Sequence, residues 1–125
     1  MEQIAGTLTN MWIAQGTRMI AAETLRSVVD RLANAASSPA RVILFGSYAR
    51  GTATEDSDLD LMVIEKELPD KSAEYLRLRR AIGGIGIGVD VLVYSEEEAL
   101  LRGQVPGTVL YWALKEGRVL HDNLA

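Results

Sequence analysis

The sequence predicts a mixed α/β fold, and three observations carry that expectation. Short apolar runs of strand length occur at Arg41–Phe45, Asp58–Ile64 and Val89–Tyr94. Segments with apolar residues at three-and-four spacing alternate with them, and Gly or Pro stands near the junctions. Such alternation builds a small mixed sheet flanked by helices, the α/β (α+β) class.

The elements follow in order. Residues 1–16 carry weak periodicity and are assigned no element; 17–125 read as one domain that begins with a helix. In that helix Ala21, Leu25, Val28, Val29, Leu32, Ala33 and Ala36 share one face, and Ser37-Ser38-Pro39 ends it. Arg41–Phe45 is a buried strand that stops at Gly46, and Asp58–Ile64 is a second. Lys71–Ile82 is a helix whose Ala73, Leu76 and Leu78 face inward, with Arg77, Arg79 and Arg80 on a basic outer face. Gly83–Gly88 breaks it before a third strand, Val89–Tyr94. Ser95 with Glu98 three residues on is a capping box opening a helix that runs toward Gly103. A last helix follows Pro106 through Val109, Leu110, Trp112, Ala113 and Leu114 and stops at Gly117.

Composition narrows the chemistry. The 125 residues include no Cys and one His, which excludes disulfides, thiol nucleophiles and multi-histidine metal centres. A reducing cytoplasm is the expected location. The opening MEQIAGTLTN lacks the basic-then-apolar pattern of a signal peptide, and the apolar runs are strand-sized, so no membrane span is expected. With 13 basic against 17 acidic residues and a net charge of −4, the chain is an unpromising nucleic-acid binder.

Asp58, Asp60 and Asp90 stand out because they interrupt apolar, strand-like runs. Residues i and i+2 of a strand share a face, so Asp58 and Asp60 project together while Leu59 and Leu61 point away. Like charges so close raise each other's pKa unless a cation neutralises them, and an all-oxygen set suits Mg²⁺ or Mn²⁺. Taken alone, D-x-D fits a solvated strand end better. Its context is Gly46-Ser47 directly after a strand, then Tyr48-Ala49-Arg50-Gly51 and a polar loop into Asp58. Gly46 permits close backbone approach, Ser47 offers a hydroxyl and the N–H groups of a helix starting there suit an anion. Arg50 adds a charge-assisted contact. For Gly46 and Ser47 alone, a tight turn and a helix cap explain the residues equally well.

Together, Gly46-Ser47, ten intervening residues, Asp58-Leu59-Asp60 and a later-strand Asp90 resemble the signature of the polymerase-β-like nucleotidyltransferase superfamily. GSYARGTATEDSDLDLMV is most similar to the minimal nucleotidyltransferases, small antitoxins of HEPN/MNT toxin–antitoxin pairs. The resemblance covers about residues 40–120 and leaves out 1–16. It implies the polymerase-β-like fold, Gly46 and Ser47 holding the triphosphate, Asp58 and Asp60 binding catalytic Mg²⁺ (or Mn²⁺), and Asp90 completing the metal triad and helping deprotonate the acceptor. It further implies ATP as substrate, AMP transfer to a hydroxyl of a partner HEPN-domain protein, and assembly into homo- or hetero-oligomers.

Other signals carry less. Gly46–Thr52 has the spacing of a Walker A loop but lacks its Lys, and Gly84–Gly88 precedes a strand instead of following one; it reads as a turn with Gly88 leaving room beside Asp90. No G-x-S-x-G elbow is present. His121 reads as a surface residue, and Trp12, Tyr111 and Trp112 as core or interface aromatics outside the site. Two other functions compete with protein modification. One is nucleotide transfer to a small hydroxylated molecule such as an aminoglycoside, disfavoured because little chain follows Asp90 to build an acceptor pocket. The other is a module that neutralises a toxin by binding alone.

Overall fold

The computed structural model describes residues 20–124. The N-terminal segment 1–16, with Trp12, lies outside the described residues. The elements are α1 (Ala22–Ala35), β1 (Ala40–Phe45), α2 (Gly46–Arg50), β2 (Leu59–Glu65), α3 (Lys71–Ile82), β3 (Val89–Ser95), α4 (Glu96–Arg102), α5 (Val109–Glu116) and β4 (Arg118–Asp122).

Helix α1 buries Leu25, Val28, Val29 and Leu32, the stripe its periodicity predicts. In α3, Asp70 caps the start by accepting from the Ala73 N–H at 3.1 Å. The α3 stripe differs from expectation: Glu74, Leu78 and Ile82 are buried, four residues apart, while Leu76 is 53% exposed. Two of its three arginines are also structural. Arg77 donates to Glu74 at 2.6 Å, to Ser37 and to the Ala35 carbonyl, tying α3 to the end of α1. Arg79 donates to the Val89 carbonyl at 2.8 Å, fixing the start of β3. Ser95 and Glu98 form the capping box of α4, each bond at 3.0 Å. Thr108 caps α5 by accepting from the Tyr111 N–H at 3.1 Å.

The sheet has the order β3-β2-β1-β4. Strands β2 and β3 are parallel across the α3 crossover, whereas β1 runs antiparallel to both β2 and β4. Strand β4 is not expected from the sequence: Arg-Val-Leu-His-Asp buries only Leu120, so an edge strand of this kind gives little hydrophobic signal. His121 sits on it, half-buried opposite Val42. Alternation divides the core. Val42, Leu44, Leu59, Leu61, Val63, Val91 and Val93 pack with α1 and α3 on one face. Ile43, Met62 and Ile64, with Leu92 and Tyr94, pack with Leu110 and Ala113 of α5 on the other.

At the far end of β2, Glu65 is fully buried against Glu74 of α3. Ser38 Oγ donates to Glu65 Oε1 at 3.4 Å, while Oε2 has no partner among the described residues unless a proton is placed between the two carboxyls. Burial and the bond to Glu74 push the Glu65 carboxyl up to about 8. Burial acts on Glu74 in the same sense, but bonds from Glu65, Arg77 and Ser37 outweigh it and hold Glu74 ionised. Because the folded pKa of Glu65 lies above its ordinary value of 4.5, the stability from its proton is full below that value and is lost as pH rises through about 8. The urea midpoint of the wild type should therefore fall between pH 5 and pH 8.5. Glu65→Gln supplies an N–H that cannot dissociate, so it should flatten this decline and gain on the order of 1 kcal/mol or more over wild type at pH 8.5. Equal slopes for both proteins would contradict the shared proton.

Candidate active site

Three backbone features bring the carboxylates together. Strand β1 ends at Phe45, which faces Asp60 in the antiparallel register, and Gly46 turns away with φ +75° to begin α2. A Cβ on Gly46 would stand 3.0 Å from Asp60 Cγ and closer still to Oδ2, so the Asp60 carboxylate occupies the space that a side chain would fill. The parallel register then sets Asp60 opposite Asp90. Period-two alternation carries both to the face of Met62, Leu92 and Ile64, the side covered by α4 and α5.

Asp58 arrives by a different route. The loop from α2 folds on itself, the Thr54 N–H donating to Ser57 Oγ at 2.9 Å and the Ser57 N–H to the Thr54 carbonyl at 3.1 Å. The Leu59 N–H then joins the Gly88 carbonyl at 2.9 Å. Pairing of Leu59 with Val89 brings Asp58 beside Gly88, where an added Cβ would lie 2.9 Å from Asp58 Cγ. Gly88 therefore makes room for Asp58, not for Asp90 as the sequence suggests, because the parallel register offsets the two.

Asp60 is half-buried and its pKa is raised from 3.8 to about 6. Burial is the largest cause, followed by the charges of Asp90 and Asp58 and a hydrogen bond with Asp90; Arg50 opposes them. Asp58 and Asp90 thus both bear on Asp60, and the guanidinium of Arg50 only partly compensates. Among the described residues no three His, Asp or Glu side chains are placed so that they could together hold a metal ion. The donor set nonetheless fits a hard divalent cation: all oxygen, like-charged, with Asp58 and Asp90 exposed.

Helix α2 carries the other expected residues. Its cap is Phe45, which provides no side-chain bond, so Ser47 lies inside the first turn and does not cap the helix. Arg50 is exposed in the last turn, close enough to Asp60 to lower its pKa. Across from α2, Val109, Trp112 and Glu116 of α5 face Gly46, Ala49 and Arg50 over a cavity of about 590 Å³. Trp112, which the sequence pattern sets outside the site, is 45% exposed on its wall. Helical spacing alone does not tell a cleft wall from a core face.

Residues 23–119 match the nucleotidyltransferase domain family. A protein of Methanocaldococcus jannaschii named as a candidate protein adenylyltransferase is 34% identical over 83 residues, 65% of this chain and 77% of that protein. Protein adenylyltransferase MntA of Thermococcus cleftensis is 33% identical over 69 residues, 54% of this chain and 69% of the relative. A shorter stretch of 41 residues, 56% identical to another M. jannaschii protein, spans only 28% of that relative's length. The crystal structure of a toxin–antitoxin with AMP-PNP shares the fold, with a TM-score of 0.58 at 20% identity, covering 81% of this chain and 74% of that one. This chain belongs to the nucleotidyltransferase domain family, among its minimal nucleotidyltransferases. No helix among the described residues is long and apolar enough to cross a membrane.

Proposed function

We propose that this protein transfers AMP from ATP to a hydroxyl of a partner protein, a HEPN-domain toxin, and thereby acts as an antitoxin. The observation that carries the reading is the pairing of Asp60 with Asp90, reinforced by the charge of Asp58, with the Asp60 carboxylate set against the side-chain-free surface of Gly46. The relatives named as protein adenylyltransferases and the toxin–antitoxin neighbour support the substrate and partner.

In this reading Asp58, Asp60 and Asp90 hold Mg²⁺, with Mn²⁺ as an alternative. When bound, the metal supplies neutralising charge to the phosphates and to the carboxylates themselves. Gly46 lets the triphosphate approach the backbone, and Ser47 and Arg50 contact its oxygens. The acceptor oxygen bonds to the α-phosphorus, the bond to pyrophosphate breaks, and Asp90 helps take the hydroxyl proton. Asp60 is the half-buried member of the three, while Asp58 and Asp90 are exposed to an incoming substrate.

The test is incubation of the protein with ATP labelled at the α-phosphate, Mg²⁺ and the product of the neighbouring toxin gene. Label should pass to the partner with wild type and not with Asp58→Ala. Equal labelling by the two proteins, or none by either, would refute the proposal. A second reading, neutralisation by binding alone, draws on the exposure of Leu100 (64%), Leu101 (69%) and Val105 (50%) around the α4–α5 turn. Under that reading an Asp58→Ala, Asp60→Ala double variant would still protect cells from the toxin. Under the first it would not.

A further inference from the structure

We propose that the cavity between α2 and α5 is the nucleobase subsite, and that Trp112 is the platform on which the base of the bound nucleotide stacks. The inference rests on the nucleotidyltransferase reading of the carboxylate site and adds to it the residue that grips the other end of the substrate.

Continuity is the first argument. Gly46 and Arg50 belong to both places: Gly46 lies against Asp60, Arg50 lowers its pKa, and both line the cavity. A ligand whose phosphates lie at Gly46 and Arg50 can extend into this cavity, which opens from the same residues. Its volume, about 590 Å³, is that of a small-molecule site.

The second argument is chemical. The α5 wall beyond the phosphate end presents Val109 and Trp112, both exposed, at 53% and 45%. An indole left open to water beside a charged site is an unused stacking surface. Its neighbours hold it without covering it: the Tyr111 ring meets it edge-on, with centroids 5.2 Å apart and planes at 89°, and Lys115 Nζ lies 5.7 Å from its centroid. The Thr108 cap fixes the first turn of α5, so the platform sits on an anchored helix. Stacking of this kind accepts any base because every base has a π-face, and a purine offers the larger area. Trp112 should therefore govern how tightly a nucleoside triphosphate binds without affecting how the phosphates are held.

The sequence contains two tryptophans, so Trp12→Phe leaves Trp112 as the sole indole reporter in the full-length chain. In that background, ATP with Mg²⁺ should quench the emission. Calorimetry should show Trp112→Ala binding ATP roughly 10- to 100-fold more weakly, inorganic tripolyphosphate binding within about two-fold of wild type, and Trp112→Phe recovering most of the ATP affinity. Circular dichroism melting verifies that each variant is folded. If ATP binds Trp112→Ala as tightly as wild type and leaves the emission unchanged, the subsite is wrong while the carboxylate site stands. The subsite is equally wrong if only the KM for the protein acceptor rises, which would make the cavity an acceptor pocket. An equal loss of tripolyphosphate affinity would also overturn the platform role. If neither compound binds wild type, the nucleotidyltransferase reading falls and takes this inference with it.

Discussion

Asp60→Asn should lower the rate of nucleotide transfer by about 10³-fold or more and at the same time raise the melting temperature of the metal-free protein at pH 7.5. Both effects come from one carboxylate. It sits half-buried with its pKa raised to about 6, by burial first and then by Asp90 and Asp58. An acid whose folded pKa exceeds its ordinary value of 3.8 contributes stability below that value and loses it as pH rises through about 6. At pH 7.5 the folded chain therefore carries a crowded charge that the unfolded chain solvates freely, and Asn removes it with little change of shape. The gain should be a few degrees and should vanish near pH 4.

Activity moves the other way, because the repulsion is what makes the site attractive to a cation. Losing one anionic ligand of a catalytic metal removes several kcal/mol of transition-state stabilisation, about 4 kcal/mol for a 10³-fold loss. Thermal melting with and without Mg²⁺ connects the two results. Added Mg²⁺ should stabilise wild type and leave Asp60→Asn nearly unmoved. A variant that melts lower than wild type in the absence of metal, or one that keeps its transfer rate, would show that Asp60 has another role.

The sequence exposes these acids because each breaks an apolar strand run, a contrast that survives without any structure. The strands and helices are legible for a related reason: their buried stripes are nearly pure, as in Leu25, Val28, Val29 and Leu32 of α1. Other features are hidden because they depend on partners distant in the chain. Glu74 occupies a core position only because Glu65, Ser37 and Arg77 surround it, so in sequence it reads as part of a solvated helix face and Leu76 as the inward residue. Strand β4 pairs along β1 while burying one side chain, which leaves almost no periodicity to detect. The expectation for Gly88 fails on register, since no local pattern says that Asp58 and not Asp90 will stand beside it. Trp112 escapes a sequence pattern because the far wall of its cleft is built by α2, some sixty residues earlier.

Gly46→Ala should cut transfer by at least about 10²-fold without removing any functional group. Two penalties fall on the added methyl. Its backbone must hold φ near +75°, a region that costs an L-residue about 1–2 kcal/mol. The methyl must also enter space held by the Asp60 carboxylate, at 3.0 Å from Cγ and 3.2 Å from Cβ. One of the two has to yield. If the turn relaxes, α2 shifts and takes Ser47 and Arg50 with it. If Asp60 yields, its carboxylate turns away from Asp90 and the metal-binding pair opens. Displacements near 1 Å at a reacting centre are enough for losses of this size. Gly88→Ala provides the control, because its methyl would meet Asp58 Cγ at 2.9 Å with no positive-φ penalty in the way. Asp58 is exposed and has somewhere to turn, so Gly88→Ala should lose activity yet retain most of its stability. Gly46→Ala should lose both. Stability at the wild-type level in Gly46→Ala would mean that the turn after β1 tolerates a side chain, and that the close approach of Gly46 to Asp60 is not what organises the site.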